Sequence, residues 1–404
     1  MKKKTRVLAI VFSCIAALLI IGAGVFLYLK LSKQNITPPS DNLAPADREI
    51  AQKFDLSAVY NSQFKQIGWK VSRAADSSTS GGKLVIPSTY RGLPILEIGN
   101  AFNGWTEIEQ VVLPSTLTNI GTDNEKGSFK NCTNLAKIQF NNESSIKAVG
   151  QNAFYGCNVL SSIDLSACEL IDNSAFENCS LLTNVQVGNK LEKIGDYAFA
   201  YSKITEFVIP SSTSQIGANP FAYGRLTSIL VDSQNTDYSS SNNCVIEIQS
   251  NKLVIGSKNS TIPQGTEIIG KNAFAGCNKS NITLPSSVTI IEQSAFNSFL
   301  GTIQLNEGLQ IIESQAFVDS GITINDLPAT VTTLGTEVFA GCLGLGEDFN
   351  ASGVYKIGIA VFANTPVLYL TLYGGSNFEA ETDGSYDFTT NSLIESVTYL
   401  YPIA

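Results

Sequence analysis

The sequence predicts an α/β solenoid, a stack of short repeats that each carry one strand. One N-terminal transmembrane helix precedes it. Three observations predict this. Eleven Phe residues recur at a nearly fixed spacing. Each sits in a variant of one phrase, Ile-Gly-x-x-Ala-Phe-x-x-Cys. An uncharged run of 23 residues lies near the N-terminus.

The Phe positions are 102, 129, 154, 176, 199, 221, 274, 296, 317, 339 and 362, separated by 27, 25, 22, 23, 22, 53, 22, 21, 22 and 23 residues. A period of this size marks units too short to bury an apolar face alone, so neighbours must stack. Solenoids grow by adding units, which overrides the expectation of two or three domains for 404 residues.

The uncharged run is Val7 to Leu29. At 1.5 Å per residue it spans the ~30 Å hydrocarbon core of a bilayer. Lys2, Lys3, Lys4 and Arg6 precede it, and Lys30 and Lys33 follow. This bias predicts a cytoplasmic N-terminus and extracellular repeats, hence a single-pass protein of the cell membrane. Secretion after cleavage beside Gly22 and Gly24 is the alternative. Against it, the apolar run continues through Phe26, Tyr28 and Leu29, where a signal peptide should turn polar. Cys14 reads as an apolar membrane residue.

Residues 1–33 are therefore read as basic tail and anchor, 34–60 as a linker, and 61–404 as the repeat ectodomain. QNITPPSDNLAPAD (34–47) is an extended spacer. ADREIAQKF, near 46–54, reads as a short helix, FKQIGWKVS (64–72) as a strand and AADSSTSGG (74–82) as a turn.

Within a repeat, Cys157 is followed by Leu160, Ile163 and Leu165, and Cys179 by Leu182, Val185 and Val187. The last pair alternates with period two, as one face of a strand does. Pro114, Pro210, Pro263, Pro285 and Pro328 close such strands, because Pro has no N–H for the ladder. The Ala-Phe piece is expected as a helical or 3₁₀ turn on the far side. The long gap holds an insertion, 226–268. In it CVIEIQSNKLVIGSK reads as a hairpin around Ser250-Asn251, and DSQNTDYSSSNN as a polar turn. The repeat after Phe339 blurs. Residues 374–404 lose the phrase and are expected to cap the stack.

LVIPSTYRGLPILEIGNAF (84–102), IGDYAFAYSKITEFVIPSS (194–212) and IIGKNAFAGCNKSNITLPSSVTIIEQSAF (268–296) resemble the leucine-rich repeats of the BspA-like, or treponemal-type, family. The resemblance covers about residues 64 to 373. It implies a curved leucine-rich repeat stack with a parallel β-sheet on the concave face, surface exposure, and binding of a protein or glycan on a host, matrix or neighbouring cell.

Composition narrows the chemistry. Beyond residue 33 there are 20 Lys and Arg against 35 Asp and Glu. So acidic a surface repels phosphate backbones, so nucleic acid is not an expected partner. The absence of His removes Ser-His-Asp and Cys-His sites and His-bearing metal centres. No phosphate loop is present and no cofactor is expected. A two-carboxylate glycan hydrolase fits the composition but no particular pair of acids. The expected protein is thus a non-catalytic, membrane-anchored binder. A structural envelope scaffold or spacer is the alternative, and the hydrolase the weaker one.

Cys132, Cys157, Cys179, Cys277 and Cys342 share one repeat offset. A metal or disulfide ladder is one reading; buried thiols used as small apolar filler are the favoured one. The expected binding surface is the outward row of the strands, with Val112, Gln139, Asp164, Gln186, Val208, Leu230, Thr283, Gln304 and Thr371. Val208 and Leu230 are apolar where solvent favours polar groups. Tyr369 and Tyr373 join the set. With Tyr386, Tyr399 and Tyr401 they form a C-terminal cluster that reads equally as an interface or as a cap on the last rung.

Overall fold

The computed structural model describes residues 43–73, 81–99, 102–121, 127–279, 281–382 and 387–400. The apolar run 7–29 lies outside these residues. Among the described residues, no helix is long and apolar enough to cross a membrane. The chain divides into two compact units, one containing residues 43–73 and 89–96, the other residues 81–88 and 97–400.

The first unit begins with the helix Pro45–Lys53, started by Pro at its first turn and flanked by Asp47 and Lys53 at the ends each charge favours. The strand Phe54–Tyr60 follows and pairs antiparallel with Gln66–Arg73. The span 34–60 is therefore not all linker. Phe54 is buried, which fixes that strand in place. Trp69 donates its Nε1–H to the Tyr90 carbonyl at 2.8 Å and meets the Tyr90 ring edge-on.

The second unit is the solenoid, and three columns of hydrogen bonds run along it. In the first, the expected strands pair in parallel. Examples are Ser162–Leu165 with Asn184–Val187, Glu206–Ile209 with Ser228–Val231, and Asp348–Ala351 with Tyr369–Tyr373. The second column was not foreseen as a sheet. The Ile-Gly phrase itself forms two-residue strands that pair in parallel from Glu97–Ile98 through Gln215–Ile216, and again from Ile268–Ile269 through Glu379–Ala380. In most of these, one residue faces inward: Ile98, Ile120, Val149, Ile171, Ile194, Ile269, Ile291, Ile312, Leu334 and Ile357 are buried, while Ile216 is half-buried and Glu379–Ala380 is exposed.

The third column is the Phe turn. The N–H of Phe154 donates to the Ala175 carbonyl and that of Phe176 to Ala198, each at 2.8 Å; Phe274 to Ala295 and Phe296 to Ala316 repeat the bond. The rings stack above these bonds. Centroids lie 5.2 Å apart for Phe154 and Phe176 with planes 7° apart, and 5.3 Å and 1° for Phe274 and Phe296. Offset-stacked aromatic pairs contribute about 0.5–1.5 kcal/mol beyond their buried area.

The turn is not a helix, and among the described residues the repeats contain none, so the fold is mostly β and not α/β. The reason is backbone handedness. The residue two after each of the eleven Phe has positive φ, from Gly104 at 72° to Asn364 at 55°, and many residues two before do too. Left-handed residues four apart break any helical run. Gly or Asn occupies seven of these eleven positions, because those residues reach φ near 60° at least cost.

The insertion is handled locally. The Phe221 and Phe274 turns are bonded as neighbours, with Tyr223 N–H donating to Ala275 O at 2.9 Å and Asn219 Nδ2 to both Asn272 O and Ala273 O at 3.0 Å. Between them the chain makes a regular strand, Ser228–Val231, and then Tyr238–Ser241, Cys244–Glu247 and Lys252–Ile255 in antiparallel order. The hairpin at Ser250-Asn251 stands as expected. A third of the stretch read as a polar turn is the strand Tyr238–Ser241. The buried Tyr238 hydroxyl accepts the Ile216 N–H at 3.0 Å, where the next strand's carbonyl would otherwise lie. Lys252–Ile255 then resumes the second column by pairing with Ile268–Ile269. Phe274 packs over Gly256, where any side chain would collide with the ring.

The described part of the C-terminal stretch, 374–382 and 387–400, continues the stack and is not an unlike cap. Glu379–Ala380 and Ser396–Leu400 extend both ladders by one rung, and Phe388 is buried with them. The stacking yields a measurable expectation. Phe296→Ala opens a void between two stacked rings and should cost about 3–5 kcal/mol in chemical denaturation. A loss below ~1 kcal/mol would contradict the Phe column as the core.

Candidate functional site

The outward row of the first column is the expected binding face, and the structure sorts its members. Val208 and Leu230 are directly paired and 55% and 56% exposed. Gln139, Gln186, Thr283, Gln304 and Tyr369 are exposed as well. Asp164 is half-buried, and its Oδ1 accepts its own chain's Ser166 N–H at 2.9 Å. Thr371 and Tyr373 are half-buried. Val112 is buried, flanked in register by Val85 and Gln139, and leaves the set.

The ladder joins these residues in groups. Asp164 is beside Gln186, Val208 beside Leu230, and Thr283 beside Gln304. Thr371 lies between Asn350 and Thr398. The strands Asn184–Val187 and Glu206–Ile209 do not pair, and a depression of about 310 Å³ opens there between Gln186, Asn189, Glu206, Val208 and Asp232. Tyr369 donates its hydroxyl to Glu395 Oε2 at 3.3 Å. Tyr399 meets Phe378 edge-on at 5.5 Å. Tyr386 and Tyr401 lie outside the described residues.

A second cluster escaped the sequence reading. Tyr201 and Tyr223 occupy the left-handed position after Phe199 and Phe221, with φ of 61° and 58°. An L-residue with a bulky side chain loses roughly 1–2 kcal/mol there. The two rings stack at 4.8 Å with planes 6° apart, and the Tyr223 hydroxyl donates to Asn297 Oδ1 at 3.0 Å. Burial pushes the Tyr223 phenol up to about 12. The signal was available in the sequence: two aromatics at an offset that otherwise holds mostly Gly, Asn, Ser or Asp.

The cysteine column is neither a disulfide ladder nor exposed. The seven described cysteines are free, and all but the half-buried Cys277 are buried. Their thiols have a use beyond filling space. Cys132 Sγ donates to the Phe102 carbonyl at 3.0 Å, Cys157 to Phe129 at 3.2 Å, Cys179 to Phe154 at 3.1 Å and Cys342 to Phe317 at 2.8 Å. Each thiol thus ties its rung to the preceding Phe turn by a weak hydrogen bond. Desolvation raises Cys157 well above the ordinary thiol value, Cys179 to about 12 and Cys342 to about 11. Among the described residues, no three His, Cys, Asp or Glu side chains gather as a metal site.

Comparison with known proteins agrees with this architecture. A family model for the BspA-type leucine-rich repeat region matches in six copies over residues 97–227 and 238–393. Among solved structures, the pneumococcal vaccine antigen PcpA superposes with a TM-score of 0.62 at 19% identity, over 81% of this chain and 87% of that one. A leucine-rich cell surface protein from Faecalibacterium prausnitzii gives 0.55 at 21%, over 86% and 93%. A leucine-rich repeat protein from Eubacterium ventriosum gives 0.53 at 17%, over 86% and 82%. No curated protein matches the sequence.

The raised thiols carry an expectation. A thiol with an elevated folded pKa has less thiolate at pH 8, and burial blocks reagent as well. Ellman's reagent should leave the six buried thiols unreacted in the native protein and titrate all of them in denaturant. Rapid native labelling of Cys157 or Cys179 would refute their place in the core.

Proposed function

This chain belongs to the BspA-type leucine-rich repeat family, and from that premise we propose that it is a membrane-anchored surface protein whose solenoid binds macromolecules without catalysis. The partner is a protein or glycan of a host, matrix or neighbouring cell. The observation that carries the reading is the exposed Val208–Leu230 pair on a two-stranded parallel sheet, backed by the second-column and Phe-turn hydrogen bonds of the same rungs. A rigid face loses little conformational freedom on binding, so contacts that are individually weak add up along it. Apolar side chains at its centre, beside the depression lined by Gln186, Glu206 and Asp232, supply desolvated area of the kind that dominates interfaces.

The anchor reading rests on Val7–Leu29 and the basic residues around it. One structure with the same fold is described as a cell surface protein, which agrees with this placement. The chain holds no His, which leaves the commonest nucleophilic and metal-dependent hydrolytic sites without their base or ligand.

Two measurements test this. Protease added to intact cells should release solenoid fragments, and N-terminal sequencing of the protein retained in the membrane should still read the basic tail. A start after Gly22 or Gly24 would instead mean secretion. The full chain should bind saturably to at least one of immobilised matrix protein, mucin or whole cells, and V208D/L230D should weaken that binding at least tenfold with an unchanged melting temperature. Absence of saturable binding to every surface would end the proposal.

A further inference from the structure

The first column of strands, divided into several short sheets, is also interrupted at the insertion. Ser228–Val231 pairs only with Glu206–Ile209, and Asn281–Thr283 only with Thr302–Gln304. The gap between them is a hollow of about 430 Å³ lined by Lys258, Asn259, Asn278, Lys279, Asn281, Leu300 and Gly301. Its frame is fixed from three sides. Lys258 N–H donates to Leu226 O at 3.0 Å, Ser257 Oγ to Thr227 O at 3.3 Å, and Leu300 N–H to Cys277 O at 3.3 Å.

The polar side chains of this hollow make no hydrogen bond or ion pair among the described residues, whereas several elsewhere in the solenoid bond from rung to rung, as in Gln110 with Gln139, Asn251 with Glu267, and Gln315 with Glu337. Here no carboxylate lines the site, and among the described residues neither ammonium has an ion-pair partner. The three amides have no side-chain hydrogen bond among the described residues either. Leu300 is 65% exposed at the edge. Two unpaired cations on a region with 20 basic and 35 acidic residues form a local reversal of sign, which attracts an anion that the surrounding surface repels.

We propose that this hollow is a binding site for an anionic sugar, a carboxylate- or sulfate-bearing unit of an acidic glycan. The two ammoniums face the anion, and the Asn amides, which both donate and accept, suit the hydroxyls around it. Leu300 offers an apolar patch to the C–H face of the ring. The volume lies at the lower end of the roughly 300–1,000 Å³ of small-ligand sites, which suits one or two rings of a longer chain crossing the sheet. An acidic peptide would satisfy the cations but would bring no hydroxyls for the three amides. The inference refines the surface-binding reading above by naming a ligand class for one place on the face.

Titration calorimetry on the full chain in detergent tests it with three probes: a hyaluronan tetrasaccharide, its carboxyl-reduced counterpart and a heparin-derived tetrasaccharide. At least one acidic probe should bind saturably and the reduced one should not; which acidic probe binds distinguishes carboxylate from sulfate. K258Q/K279Q should weaken binding roughly 10- to 100-fold, the scale of lost charge-assisted hydrogen bonds. K258R/K279R should retain most of it, which separates charge from fold. No binding of either acidic probe, tighter binding of a poly-glutamate peptide, or binding indifferent to K258Q/K279Q would overturn the assignment. A chain that fails here yet still binds matrix or cells sinks only this inference. Lysine-dependent sugar binding with no adhesion to any surface would sink the broader reading and leave this one standing.

Discussion

Everything in the solenoid depends on one repeated contact, a Phe ring lying on the Phe ring of the next rung at a little over 5 Å. The spacing is set by the backbone, because strands joined by hydrogen bonds sit ~4.8 Å apart. A flat ring with a slight offset fills that interval without leaving a void. The turn that carries it must then be sharp enough to bring the chain round within a few residues, which is why left-handed residues flank the ring. Ala before the Phe and a small donor after it follow from the same crowding. The thiol at that place is small enough to fit and polar enough to give a second hydrogen bond to a Phe carbonyl that already accepts a backbone N–H in its own turn.

Function is displaced to where this contact leaves side chains free. The first column's outward row is held in place by the interior but not selected by it. Most of its polar members pair along the ladder and so present a neutral, rigid ground. Against that ground two places differ: the apolar pair Val208–Leu230, and the hollow with Lys258 and Lys279. Both lie next to breaks in strand pairing, where the backbone no longer dictates a flat surface.

The sequence made the repeat and the first column legible, because L-x-x-I-x-L shows both the period of the unit and the period of a strand. It hid the second column, since a strand of two residues offers no alternation to read. It also concealed the separate N-terminal unit: LPILEI looks like repeat text, yet its first half belongs with Trp69 and Tyr90. Val112 was misjudged because alternation says which way a side chain points and not what covers it. The hollow was invisible for another reason. Lys258 and Lys279 lie a rung apart in a region where the insertion suspends the pairing rules, so only coordinates bring them together.

The seam at the insertion also bears on how the molecule comes apart. In a one-dimensional array, stability is a sum of units and of the couplings between neighbours. The ring stack runs from Phe102 to Phe221 and again from Phe274 to Phe362, while Gly256 stands where the link between them would be. Across this junction the ring stack is replaced by hydrogen bonds from the Asn219 amide, the Tyr223 and Ser257 hydroxyls and the backbone. Hydrogen bonds weaken steeply once their angle is lost, whereas stacked rings tolerate sliding. A pull along the axis would therefore meet directional bonds at this seam and ring-on-ring packing on either side of it, so the seam and its flanks resist stretching by different means.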